Sequence, residues 1–186
     1  MKTTTIPEAT ECEWIARAQT GDRQAFSSLV YHYRESVINV VYRMCGDAGL
    51  AEDAAQEAFI RAWQNLPRYK PRSPFRNWLY RIATNVALDT LRRERDAEDI
   101  EDAPLAASSL GPEAAVERNE RAEQVRQAVL ALAPASRAVL ILREYEDLSY
   151  KEIAETLDIP VGTVMSRLNY ARTQLRETLK VYLEAA

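Results

Sequence analysis

A proline wedged between two short amphipathic repeats is the feature that most constrains this chain. The stretch from Leu148 to Leu179 opens LSYKEIAETLDIPVGTVMSRLNYARTQL. Ile153, Ala154 and Leu157 share one helical face. Pro160 has no N–H to continue a helix and disfavours helical backbone in the residue before it, so the first helix ends near Leu157. Val164, Leu168, Ala171, Leu175 and Leu179 then begin a second stripe at helical spacing. Two helices joined so briefly cross steeply around one small core, which predicts a helix-turn-helix over about residues 149–169. The outer face of the second helix carries Thr163, Ser166, Arg167, Asn169, Tyr170 and Arg172, groups that reach base edges and phosphates. A plain helical hairpin with a solvated face has the same periodicity. The basic balance of this face, Arg167, Arg172, Arg176 and Lys180 against Glu177, favours the DNA-reading form.

The remaining sequence also reads as helix. The chain has 186 residues, 47% of them hydrophobic and 28% charged, with few β-branched runs and much Ala, Glu, Arg and Leu. No apolar run approaches the roughly 20 residues of a membrane span. The opening MKTTTIPEATECE has no apolar signal core. A cytoplasmic protein is expected. Cys12 and Cys45 lie far apart with no CxxC, and there is one histidine, so neither a metal site nor a disulfide framework is predicted.

A net charge of −4 argues against nucleic acid until it is mapped. Residues 66–96 hold eight Lys/Arg against three Asp/Glu, between an acidic first third and a strongly acidic stretch from 97 to 120. Phosphate binding is local, so the basic block carries more information than the sum.

In chain order, a short helix is expected over Glu11–Gln19, then a long one over Arg23–Cys45 capped by Asp22. A turn at Gly46–Gly49 leads to a helix over 51–66, with an alanine-rich apolar face and an outer face of Glu52, Asp53, Gln56 and Glu57. Residues 67–74, PRYKPRSP, form a basic, semi-rigid loop. The next helix, FRNWLYRIATNVALDTLRRER, spans 75–95. Its Trp78, Leu79, Ile82, Ala83, Val86 and Leu91 share a face, leaving Phe75, Asn77, Tyr80, Arg81, Thr84, Asn85 and Leu88 on or near others. Aromatic rings interleaved with Arg and Asn suit single-stranded nucleic acid: rings stack on bases, Arg holds phosphate and Asn reads a base edge. Residues 97–116 are acidic and aperiodic, a linker. Helices follow over Glu117–Leu132, with Ala122, Val125, Ala128, Val129 and Leu132 inward, and over Arg137–Glu146, capped by Ser136. The fold class is therefore all-α, with two small helical domains at 11–96 and 117–182.

LSYKEIAETLDIPVGTVMSRL resembles region 4 of the sigma-70 family in its extracytoplasmic-function (ECF) group, and FRNWLYRIATNVALDTLRRER resembles regions 2.3 and 2.4 of the same family. The pattern Asp53, Gln56, Glu57, Phe59, Arg61, Trp63 resembles region 2.2. The resemblance implies a factor that directs core RNA polymerase to promoters, without a cofactor, metal or small-molecule substrate. It implies polymerase contacts at Glu52, Asp53, Gln56, Glu57 and Phe59. It implies capture of the melted −10 element by Tyr69, Arg72, Phe75, Trp78, Arg81, Asn85, Arg92 and Arg93. It implies −35 contacts from Thr163, Met165, Ser166, Arg167, Tyr170 and Arg172. Asp89 is expected to pair with a nearby Arg. The implied partners are core polymerase, promoter DNA and an anti-sigma factor, in the family often membrane-bound. The competing reading is a stand-alone helix-turn-helix regulator of duplex DNA, against which stands the Trp/Arg/Asn helix, which a duplex reader does not need.

Overall fold

A computed structural model describes residues 7–98 and 116–184, and every described element is helical. The first domain holds α1 (Glu8–Gln19), α2 (Arg23–Cys45), α3 (Ala48–Asn65), a 3₁₀ turn (Leu66–Arg68) and α4 (Phe75–Glu98). The second holds α5 (Val116–Leu130), α6 (Pro134–Glu144), α7 (Tyr150–Leu157) and α8 (Val161–Glu184). The expected linker lies largely outside the described residues; α4 and α5 take its ends.

Local chemistry sets the helix ends. Asp22 caps α2 as expected, its carboxylate accepting from the N–H groups of Gln24 and Ala25 at 2.9 and 3.1 Å. Gly46 closes α2 at φ 81°, in the left-handed region. Asp47 then caps α3 by accepting from Leu50 N–H at 2.8 Å. That cap starts α3 at Ala48, and the expected turn shortens accordingly. Ser136 does not cap α6: Pro134 occupies the first turn, where its fixed φ suits the helix and its missing N–H costs nothing, and Ser136 is buried. Ala122 and Val125 face outward, because α5 packs mainly through its C-terminal end, where Ala128 and Val129 are buried.

α2, α3 and α4 pack against one another, with α1 along α2. Val37, Val40, Val41, Met44, Ala58, Ala62, Leu79 and Ala83 fill the space between them. Small alanines along α3 let the helices approach closely. In the second domain Leu142, Leu148, Ile153, Val164, Leu168 and Ala171 form the core of the helix-turn-helix. α7 opens with a reciprocal capping box between Ser149 and Glu152. It ends at Asp158, φ 56°, a left-handed position that Asp tolerates better than most side chains.

The two domains meet in one continuous core: α6 and α5 pack on α2, and α7 and α6 on α4. Arg137 sits at the centre of this contact. Its buried guanidinium donates to the carbonyls of Met44 at the end of α2, of Leu130 at the end of α5 and of Leu132 just after it. Arg126 donates to Gly46 O at 2.8 Å beside it. Both cations face the carbonyl end of α2, where the helix dipole favours positive charge. A Cβ on Gly46 would meet Leu130 Cδ1 at 2.5 Å, so α5 approaches as far as a glycine allows. Arg43 adds a cation–π contact, 4.3 Å from the Tyr145 ring centre.

Arg137→Met removes a buried charge-assisted donor from three carbonyls and is expected to cost about 3 kcal/mol in urea denaturation. Arg172→Met, which breaks an exposed pair with Glu144, is expected to cost under about 1 kcal/mol in the same measurement.

Candidate nucleic-acid interface

The rings of Tyr69, Phe75 and Trp78 form a triangle where the proline loop enters α4. Their centroids lie 5.5 Å (Tyr69–Phe75), 4.9 Å (Tyr69–Trp78) and 5.3 Å (Phe75–Trp78) apart. Tyr33 of α2 backs Phe75 at 5.7 Å. The loop backbone is held from below: Gln19 of α1 donates to the carbonyls of Leu66 and Tyr69 at 3.1 and 2.8 Å, and Tyr69 OH donates to Ser73 O at 2.9 Å. Burial pushes the Tyr69 phenol up, so it remains a neutral donor at neutral pH.

Above this floor lies an open recess of about 230 Å³, lined by Asn65, Arg68, Tyr69, Trp78, Arg81, Ile82 and Asn85. That is the share of roughly eight liquid waters, enough for one planar heterocycle. The half-buried Trp78 and Ile82 give apolar walls, Asn65 and Asn85 can each donate and accept, and Arg68 and Arg81 supply positive charge. A stacking surface, amide groups and guanidinium groups converge on one cavity.

Four of the residues expected to bind single-stranded DNA therefore meet here: Tyr69, Trp78, Arg81 and Asn85. Phe75 does not. It is fully buried and acts as the floor that fixes Trp78, leaving no ring face for a base. Thr84, Asn77 and Tyr80 are buried as well, not on free faces of α4; Thr84 spends its hydroxyl on Tyr80 O at 2.7 Å. Arg72 in the loop and Arg92 and Arg93 near the end of α4 are exposed and stand outside the recess. Asp89 pairs with Arg61 at 3.2 Å, the structural role expected of it.

A second, larger groove of about 640 Å³ runs between α2 and α3. Phe26, Val30, Ile38, Phe59, Ile60 and Trp63 make its apolar bed, and the Phe26 and Trp63 rings lie 4.9 Å apart. Arg23, Arg34, Glu52 and Gln56 stand at its edge. Of the residues expected to meet a protein partner, Glu52, Gln56 and Phe59 line this groove. Asp53 is exposed outside it, and Glu57 is occupied with Arg61 at 2.8 Å. Ile60, 45% exposed, was not among the expected contacts; it interrupts the polar face of α3 and marks the groove.

The outer face of α8 divides into two flanks about the buried stripe of Val164, Leu168 and Ala171. At 100° per residue, Thr163, Arg167 and Tyr170 fall on one flank and Met165 and Arg172 on the other, with Ser166 between them. Met165 is 54% exposed and Tyr170 is 50% exposed. Large apolar surface left open beside Arg167 suits contact with thymine methyls or stacked bases. Arg172 is turned to Glu144 at 2.7 Å, and Ser166 donates to Thr163 O at 3.0 Å.

Asn65, Arg68 and Ile82 were not among the expected site residues. Asn65 precedes the 3₁₀ turn and Arg68 ends it, and their convergence with α4 depends on how the chain reverses there. Their signal in the sequence was proximity to the basic proline loop.

Residues 29–97 match the family model for Sigma-70 region 2, and residues 122–175 match that for Sigma-70, region 4. The chain is 37% identical over 177 residues to the ECF RNA polymerase sigma factor SigW of Bacillus subtilis, covering 89% of this chain and 95% of that one. It is 39% identical over 183 residues to the RNA polymerase sigma-H factor of Pseudomonas aeruginosa, covering 92% and 95%. Among solved structures, CnrH in complex with the cytosolic domain of CnrY aligns with a TM-score of 0.70 at 27% identity, over 92% of this chain and 98% of that one. The protein belongs to the sigma-70 family of RNA polymerase sigma factors, in the ECF group.

Proposed function

We propose that this chain binds core RNA polymerase through the α2/α3 groove, opens the −10 element through the recess on α4, and reads the −35 element with α8. It works in the cytoplasm, by binding and not by catalysis. The observation that carries this reading is the recess itself. A base expelled from the duplex loses stacking worth a few kcal/mol, and a site that melts DNA without ATP must return that energy by capture. Trp78 offers a ring face, Asn85 and Asn65 offer amides for a base edge, and Arg68 and Arg81 offer charge for the adjoining phosphates. Arg72, Arg92 and Arg93 lie where a strand leaving the recess passes over the loop and down α4, and they act on its backbone.

The groove fits a helical partner. Its apolar bed accepts a row of side chains spaced three and four apart, and Arg23, Arg34, Glu52 and Gln56 can fix their register. The partner is the polymerase core. A protein that holds the factor inactive, an anti-sigma factor, is a further partner; the complex of CnrH with the cytosolic domain of CnrY supports this.

The test is run-off transcription with purified core polymerase and linear promoter templates. Trp78→Ala is expected to lower initiation about 5- to 100-fold, the span of one lost stacking contact, and Asn85→Ala by about the same factor, the span of one lost base-edge contact. Core-independent duplex binding with no transcription would favour a stand-alone regulator. Ile60→Asp places a charge in the groove. It is expected to abolish co-elution with core polymerase on size-exclusion chromatography while leaving single-stranded DNA binding by the free chain unchanged.

A further inference from the structure

The first helix contributes no residue to the recess, yet it holds both the loop and the floor that build it. α1 lies before residues 29–97, which match Sigma-70 region 2. Ala18 is buried, and Trp14 and Ile15 pack against the core. Gly21 turns the chain at φ 96°, and Arg17 pairs with Asp22 at 2.8 Å across that turn, which sets α1 against α2. Gln19, half-buried in the last turn of α1, then meets the 3₁₀ turn. Its amide nitrogen donates to Leu66 O at 3.1 Å and to Tyr69 O at 2.8 Å. Leu66 O also accepts from Tyr69 N–H at 3.0 Å, which closes the turn. At the other end of α1, Glu11 accepts from Tyr33 OH, and the Tyr33 ring backs Phe75 beneath Trp78.

We propose that Gln19 is a positioning residue for strand capture: it touches no DNA, and its two hydrogen bonds place Arg68 and Tyr69 against Trp78 before a base arrives. The inference rests on the reading of the recess given above. The loop has little means to brace itself. Pro67, Pro71 and Pro74 have no N–H to give, so its carbonyls depend on donors from elsewhere. The carbonyls of Leu66 and Tyr69 bracket Pro67 and Arg68. Bonds to both fix the peptide planes on either side of Arg68, whose side chain lines the recess. They also fix the backbone under the Tyr69 ring, 4.9 Å from Trp78. Prolines stiffen the loop, so a loop released by Gln19 swings as a unit and carries Arg68 and Tyr69 away together. A base would then have to order the site as it enters, and that ordering subtracts from the free energy of capture.

The test uses the full chain assembled with core polymerase. Gln19→Met keeps the length of the side chain and removes both donors, whereas Gln19→Lys puts donors back at the same reach. Run-off transcription is measured on a linear duplex promoter that the wild-type chain uses, and on the same promoter with its −10 element pre-opened as a mismatched bubble. On the duplex, Gln19→Met is expected to lower initiation at least about 5-fold, the factor that one net hydrogen bond represents. On the bubble, where unstacking is already done, that defect is expected to vanish, and Gln19→Lys is expected to match wild type on both templates. Adding Gln19→Met to Trp78→Ala is expected to cost nothing further, because both act through one site. Equal losses on duplex and bubble, a Lys variant as defective as the Met variant, or an additive loss in the double variant overturns the positioning role. So does full duplex activity of Gln19→Met beside a defective Trp78→Ala. Full duplex activity of Trp78→Ala itself overturns instead the reading of the recess on which the proposal stands.

Discussion

A buried guanidinium whose two terminal nitrogens donate only to main-chain carbonyls holds the two halves of this molecule together. Arg137 is buried, and burial lowers its pKa from the ordinary arginine value. Its donors reach the last turn of α2 and the chain that leaves α5. No carboxylate completes the arrangement among its hydrogen bonds. The negative end of a helix dipole and three carbonyl groups offset the desolvation of the charge. This ties the second domain to the end of α2, the helix that backs both candidate sites. Tyr33 of α2 supports the floor of the recess, and Phe26, Val30 and Ile38 of α2 line the groove.

The two sites differ in how they are prepared. The recess stands on a closed aromatic packing, with loop carbonyls pinned by Gln19 and with Phe75 locked beneath Trp78. A ring held this way loses little freedom when a base stacks on it, so binding free energy goes to capture instead of to ordering the site. The groove is wider and more apolar, and its contacts lie along two antiparallel helices. It matches an extended partner surface better than a single ligand group.

Charge explains how an acidic chain can be a DNA-binding protein. The basic loop and α4 are set among acidic segments, and the fold places some of that acidity directly on α4. Exposed pairs such as Arg81 with Asp158 are weak and screened by salt. Glu146 is different: burial raises its carboxyl, while Tyr80, Arg43 and Arg76 hold it down. Of the three bonds between α4 and the second domain's carboxylates, Tyr80–Glu146 and Asn77–Glu152 are half-buried and Arg81–Asp158 is solvated.

Helix periods, the proline break at Pro160 and the cap at Asp22 are local, and local backbone chemistry decides them, so the all-α class, the limits of α2 and the helix-turn-helix were legible in the residues alone. The sequence also singled out Trp78, Arg81 and Asn85 by aromatic, cationic and amide chemistry at helical spacing, and the fold brings these three to one recess. What the sequence could not separate was a ring that offers its face from one that supports it. Phe75 and Trp78 are three residues apart and chemically alike, and only the packing of Tyr33 and Tyr69 buries one and leaves the other open. Arg137 looked like an ordinary helix residue, since its partners are main-chain carbonyls, which no side-chain pattern records. The meeting of Asn77, Tyr80 and Arg81 with Glu152, Glu146 and Asp158 joins positions more than 60 residues apart. Such contacts depend on the angle between packed domains, and that angle belongs to the tertiary structure.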